Sequence, residues 1–377
     1  MNSAEGAGDV GLGPQTALDA PEPQAILGSL TTSAIFLVVS VRGGAAADAR
    51  VLEVASDVNG LVRAVGFREP AQRLTCVVGF GSAYWDRIRP VDAPRPVGLH
   101  PFVALTGAVH DAPSTPGDLL FHIRANRADL VIELARLVMD ALGEDVEVED
   151  YVSGFRYFDS RDFLGFVDGT ENPTGRGAAE AAIIDPEREP DFAGGSYVVV
   201  QKYTHDLEAW AALSTEEQEL VIGRTKIDDV ELDDDVQPSN SHVTLNTIED
   251  PDGTERDIVR DNMAFGNAGA GEYGTYYIAY SADISVTEQM LVNMFEGDPP
   301  GNYDRILDVS TALTGTQFFV PSLEMLESLA DDLEEVDDVE DAGPAGPDIS
   351  EPIQPDAAAD RPADESLSIG SLKGVSQ

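Results

Sequence analysis

The order in which two hydrophobic rhythms alternate along the chain limits the fold more than any other feature. Residues 34–39 (Ala-Ile-Phe-Leu-Val-Val) are too few to cross a bilayer and too β-branched to favour helix, so they read as a buried strand. Stretches with helical spacing separate runs of this kind. The first part of the chain gives strand 33–41, helix 46–65, strand 74–80, strand 118–123, helix 128–142 and strand 146–155. The second gives strand 196–203, helix 207–222 interrupted at Ser214, strand 275–280, helix 286–295 and a short strand 317–320. Strand, helix, strand, strand, helix, strand, followed by the same order one strand short, predicts an α+β protein with a duplicated ferredoxin-like fold, its antiparallel sheets flanked by peripheral helices. The halves, 29–165 and 166–330, share order rather than obvious sequence.

Composition narrows the class. With 377 residues, 42% of them hydrophobic, the chain can bury a sizeable core without staples, and its single cysteine, Cys76, excludes an internal disulfide framework. The start of the chain shows neither the positive region nor the apolar stretch of a secretory signal, and no run of eighteen apolar residues occurs, so a cytoplasmic protein is expected. A net charge of -46, from 23 Lys+Arg against 69 Asp+Glu, repels nucleic acid and anionic membrane. Partners should be neutral, cationic or protein. Lysine is confined to Lys202, Lys226 and Lys373 while arginine is frequent, which fits a GC-rich genome and salt adaptation equally.

Both ends differ from the middle. Residues 1–28, rich in Ala, Gly and Pro, predict a loose arm, and 331–365, dominated by Asp, Glu, Ala and Pro, predict an acidic linker that cannot bury enough apolar surface to fold. Beyond it, 366–377 contain an apolar patch (Leu367, Ile369, Leu372) interleaved with small residues including Gly370. Such a patch at the end of an acidic arm reads as a docking peptide.

Chemistry concentrates in a few motifs. An isolated Asp-Gly is usually a solvated turn, but Gly165-Phe166-Val167-Asp168-Gly169-Thr170-Glu171-Asn172-Pro173 sets four polar side chains in a turn between apolar residues. Among the five histidines, His100, His110, His122 and His205 lie in or beside predicted strands and a helix start, the usual place for a packing residue. His242 instead closes the acidic loop Asp233-Asp234-Asp235-Val236-Gln237-Pro238-Ser239-Asn240-Ser241, and Arg260-Asp261-Asn262-Met263 follows. The nonapeptide resembles the GxxDG signature of dye-decolorizing (DyP-type) haem peroxidases, and the likeness runs in order from about 23 to 321. It is nearest to the bacterial branch that travels with encapsulins. The resemblance implies haem b, with His242 as the proximal ligand of its iron and Asp304 accepting the imidazole's other N–H. It places Asp168, Arg260 and Asn262 on the distal side.

Those roles suit the residue types. An imidazole hydrogen-bonded to a carboxylate gains imidazolate character and becomes an electron-rich ligand. Heterolysis of peroxide needs a proton moved between its oxygens and a cation beside the departing hydroxide, which Asp168 and Arg260 can provide. Asn262, able to donate and accept, would position peroxide or water. Glu171, Glu231 and Glu255 flank these residues and admit a weak Mn(II) site, whereas the cluster 228–235 lacks calcium-loop spacing. Trp85 and Trp210 could relay oxidising equivalents but are core residues first. Gly269-Ala270-Gly271-Glu272-Tyr273-Gly274 imitates a dinucleotide loop, yet a strand follows it instead of a helix, so a surface turn is expected.

The expected activity is a peroxidase reducing hydrogen peroxide while oxidising small organic donors in one-electron steps. Haem handling of the deferrochelatase kind and a non-catalytic shell cargo are the alternatives. Residues Ser366 to Lys373 resemble the encapsulin cargo-loading peptide, which implies an encapsulin shell as partner and location. A flexible spacer of roughly 35 residues would reach about 30 Å, enough for a homo-oligomer, dimer to hexamer, to hang from the inner wall with several tails engaged.

Overall fold

The computed structural model describes residues 21–330. Residues 1–20 of the expected arm, the acidic linker 331–365 and the terminal peptide 366–377 lie outside the described residues.

The first half runs β1 (Ser33–Val41), α1 (Ala45–Ser56), α2 (Val58–Gly66), β2 (Thr75–Gly81), α3 (Ser82–Ile88), a small hairpin of β3 (Leu105–Thr106) and β4 (Asp111–Ala112), β5 (Leu119–Ala125), α4 (Ala128–Leu142) and β6 (Val146–Phe155). After α5 (Arg176–Ala182) come β7 (Ser196–His205), α6 (Leu207–Ala212), α7 (Thr215–Ile222), α8 (His242–Asn246), β8 (Val259–Arg260), β9 (Met263–Asn267), β10 (Glu272–Ser281), α9 (Ile284–Phe295), β11 (Ser310–Ala312) and β12 (Thr316–Val320). The expected helix 46–65 is two helices that meet at Asp57. Ser214 is the N-cap of α7, in a capping box with Glu217 that satisfies the helix's first free N–H groups.

Strand order repeats. The first half is arranged β2-β5-β1-β6 and the second β9-β10-β7-β12, so in each the first and third strands are central. The strand that the sequence did not announce, β8 with β9, is the second strand of the second copy. Its polar stretch Arg260-Asp261-Asn262 interrupts the apolar alternation that betrays a strand. Every pairing is antiparallel, and contacts β12–β2 and β6–β9 join the halves into a closed barrel. Closure removes exposed sheet edges.

Alternate residues of each strand fill the barrel, among them Phe36, Leu120, Val198, Ile278 and Phe318. On the outside of the first half, Leu130, Leu134 and Val138 recur at helical spacing along α4 and pack with Ile35 and Leu37. Residues 23–28, expected within a loose arm, are docked instead. Gln24 donates to the carbonyls of Val78 and Pro321, both at 3.0 Å, and accepts from Val78 N–H at 2.8 Å, while Ile26 is buried. These bonds satisfy strand groups that would otherwise be orphaned. Of the Gly269–Gly274 segment, 269–271 lie in the exposed β9–β10 hairpin turn with Gly271 at φ 67° and 272–274 begin β10, so it is no nucleotide loop. Cys76 is buried in β2, where burial pushes its thiol well up.

Candidate active site

A cleft with about 210 Å³ open to the centre of a water molecule lies outside the second half, between the β7–β10 face and helices α8 and α9. His242, Asp168, Arg260 and Asn262 all line it. Residues from segments far apart in sequence thus converge on one cavity.

His242 is the first residue of α8, whose N-cap Ser241 is fully buried and accepts from Thr244 N–H at 3.2 Å. The loop preceding the cap is gripped from the far side, where Asn302 donates to Ser239 O at 3.0 Å. Asp304, completely buried, accepts from Ile306 N–H at 2.9 Å through Oδ1 and meets His242 Nδ1 at 2.7 Å through Oδ2. With Nδ1 so held, Nε2 is the ring nitrogen left for the cavity. The pairing fixes tautomer and ring orientation together.

Asp168 sits in a turn shaped by Gly165 and Gly169, whose φ angles of 90° and 81° favour glycine. Its Oδ1 accepts from Asn262 Nδ2 at 3.1 Å. Asn262 Oδ1 accepts the Ile278 N–H at 3.0 Å, so that side chain faces Asp168 as a donor and its acceptor is engaged by the strand. This narrows the expected donor-and-acceptor role. Burial pushes the Asp168 carboxyl up from the usual carboxylate range, opposed by Arg260, Asn262 and His242. Arg260 Nε is buried without a hydrogen-bond partner among the described residues. The residue lines the cavity, where a guanidinium is a partner for an electron-rich ligand atom.

Three residues that the sequence left unassigned matter here. Asn172 clamps the Arg260 backbone in both directions, donating to its carbonyl at 2.6 Å and accepting its N–H at 2.9 Å, which ties the Asp168 turn to the arginine. Asp162, also on the cavity wall, accepts from Gly165 and Phe166 N–H at 2.8 and 3.1 Å, and burial with Asp168 nearby pushes it up to about 7. The signal was its place six residues before Asp168 in the same polar turn. Asp261 points the other way, into the barrel.

The remaining histidines have partners. His205 bonds Ser310 at 2.8 Å and Thr275 at 3.0 Å on the cavity wall, and His122 bonds Tyr280 at 2.8 Å inside the barrel. His100 pairs with Glu288 and His110 with Asp308. Glu171 and Glu255 line the cavity but Glu231 does not, and Arg224 pairs with Glu171 and lies 3.8 Å from Glu231. Among the described residues no three His, Cys, Asp or Glu side chains stand close enough to hold a metal ion. Trp85 packs in the core against Phe319, and Trp210 donates to Leu164 O at 2.8 Å.

The donor set fits haem. Of the two imidazoles on the cavity, His205 has both ring nitrogens bonded and His242 keeps Nε2 for a ligand, while Ile248, Ile258, Met290, Leu291, Met294 and Ile306 give apolar walls and Asp168 and Arg260 give polar groups. A histidine braced by a buried carboxylate, combined with an Asp–Arg–Asn constellation on one largely apolar cavity, is the arrangement a haem peroxidase needs. Residues 23–156 match the family model described as Dyp-type peroxidase, N-terminal, and 159–325 match Dyp-type peroxidase, C-terminal. The chain belongs to the Dyp-type peroxidase family. It is 54% identical over 358 residues to a dye-decolorizing peroxidase of Brevibacterium linens, covering 93% of this chain and 96% of that one. DyPB from Rhodococcus jostii RHA1 is a similar solved structure, with TM-score 0.79 and 61% identity over 81% of this chain and 97% of that one. The encapsulated DyP-type peroxidase from Mycobacterium smegmatis matches with TM-score 0.79 and 56% identity over 82% of this chain and 98% of that one. Among the described residues no helix is long and apolar enough to cross a membrane.

Proposed function

We propose that the second half, 166–330, holds haem b on His242 and that the chain reduces hydrogen peroxide while oxidising small organic donors, working as cargo of an encapsulin shell. The convergence of His242–Asp304 with Asp168, Arg260 and Asn262 on one cavity carries the reading. Bound haem supplies the electrons that cleave the peroxide bond and takes them back from donors one at a time. Asp304 holds His242 Nδ1–H and so keeps Nε2 a strong donor. Asp168 has Oδ1 occupied by Asn262 and takes the peroxide proton on Oδ2, then passes it to the departing oxygen. Its raised pKa suits both halves of that transfer. Arg260, which lines the cavity, offers its guanidinium to the charge that develops on that oxygen.

Organic donors are favoured over Mn(II) because Arg224 already pairs with Glu171 and lies beside Glu231, where the metal would need those carboxylates. One equivalent of peroxide added to the haem-loaded protein should give a rapid Soret change, and excess peroxide with an organic donor should give sustained donor oxidation. Release of iron or porphyrin without turnover would favour haem handling, and absence of any Soret band would leave a non-catalytic cargo.

Packaging rests on the Ser366–Lys373 run and on the similarity to the encapsulated Mycobacterium smegmatis protein. Several tails on one oligomer would add avidity. Deleting 366–377 should abolish co-purification with co-expressed shell protein and leave peroxidase activity intact; continued loading would contradict this.

A further inference from the structure

Strand alternation puts Arg260 and Asn262 on the cavity face and Asp261, between them, on the barrel face. The interior around it is apolar, yet Asp261 and Arg124 of β5 are only 3% and 2% exposed and form an ion pair there. Arg124 continues through Nη2 to the carbonyls of Ala25 and Ile26, the latter at 3.2 Å. His122 stands beside the pair, with Nε2 3.9 Å from Asp261 Oδ2, and burial holds its pKa down to about 3, so it is neutral. Asp261 Oδ1 and His122 Nε2 have no hydrogen-bond partner among the described residues. Buried ion pairs are poor stabilisers, because desolvation offsets the attraction and an apolar replacement commonly does as well. The pair therefore calls for a role other than stability.

We infer that the Arg124–Asp261 pair is a positioning device: it fixes, from inside the barrel, the strand that aims Arg260 and Asn262 into the cavity. The inference rests on the distal roles proposed above for those two residues. A slip of one residue would turn both side chains into the barrel and Asp261 outward, where it would leave Arg124 buried and unpaired. The strand needs such a pin. Between β8 and β9 the Ile278 N–H goes to the Asn262 side chain instead of a backbone carbonyl, which leaves the ladder one regular bond short at this point. Asn172 holds the Arg260 backbone along the strand edge away from β10 and Arg124 holds the Asp261 side chain inside the barrel, so the peptide is held from two directions. The grip also reaches the docked N-terminal segment through Ala25 and Ile26.

The test uses the full-length, haem-loaded protein and azide, an anion whose affinity for ferric haem reports the placement of the distal cation. Asp261→Asn should weaken azide binding and slow the peroxide reaction by about tenfold each, with haem content and Soret position unchanged. The double variant Arg124→Met with Asp261→Leu removes both charges, and it should melt near the parental temperature while keeping the same two losses. Parental azide affinity and peroxide rate in either variant would overturn the inference. A double variant that does not fold or load haem would assign the pair to barrel assembly and overturn it equally. Arg260→Ala, measured alongside, separates the two levels: parental azide affinity there would sink the distal reading itself, whatever the pair does.

Discussion

The first half of the barrel covers its outer face with α1, α2 and α4, which meet Ile35, Leu37 and Val39 of β1 and Phe121 and Ile123 of β5, all fully buried. On the second half the corresponding central strands β7 and β10 present Tyr203, His205, Thr275 and Tyr277, facing the five-residue α8 and the twelve-residue α9. Strand order is the same in both. Apolar side chains let helices close to native packing density, whereas hydroxyls, an imidazole and a short helix leave a cavity between sheet and helices. The comparison teaches that one frame can serve as a packed wall or as a reaction chamber, according to which residues its outward positions carry.

Substitutions should act differently on the two sides. Arg260→Ala should slow the peroxide reaction by about a hundredfold or more, as for loss of a preorganised electrostatic donor, while haem content stays near parental. Leu37→Ala in the packed half should cost about 3 kcal/mol of folding stability and leave the rate per haem unchanged. Stopped-flow absorbance and urea titration on the same preparations read both arms. An Arg260→Ala enzyme at the parental rate, or a Leu37→Ala enzyme with an altered rate per haem, would break the comparison.

A smaller effect distinguishes the halves by pH. Asp162 on the cavity wall has its folded pKa raised to about 7 from 3.8 by burial, with Asp168 adding to the shift. The folded state therefore holds this proton more tightly than the unfolded chain, and its contribution is fully present below 3.8 and lost as pH rises toward about 7. Asp162→Asn keeps an oxygen for Gly165 and Phe166 N–H but cannot titrate. Its melting temperature should gain on the parent as pH is raised from about 5 to about 8; a constant difference across that range would remove Asp162 from the cavity's electrostatics.

Much of this was legible before any coordinates. Long β-branched runs such as that of β1 and the regular apolar spacing of α4 announce themselves because packing decides them locally. Asp168, His242, Arg260, Asn262 and Asp304 were singled out from motifs, and the structure brings the first four to one cavity with Asp304 behind the histidine. The β8–β9 strand escaped because residues serving the cavity displaced the apolar alternation. Asp261 escaped with it, since only a recognised strand shows that a residue flanked by two cavity-facing side chains must point inward. Gln24 escaped for another reason: its bonds to Val78 and Pro321 join parts of the chain that no local pattern relates.

The central claim is that the cavity of the second half binds haem through His242. The direct measurement is the absorption spectrum of His242→Ala, expressed full-length, supplied with haem and checked for an intact fold by far-ultraviolet circular dichroism. The account predicts a folded barrel without stoichiometric haem and without the parental Soret band. A folded variant that keeps the parental Soret band and ferric coordination would contradict it.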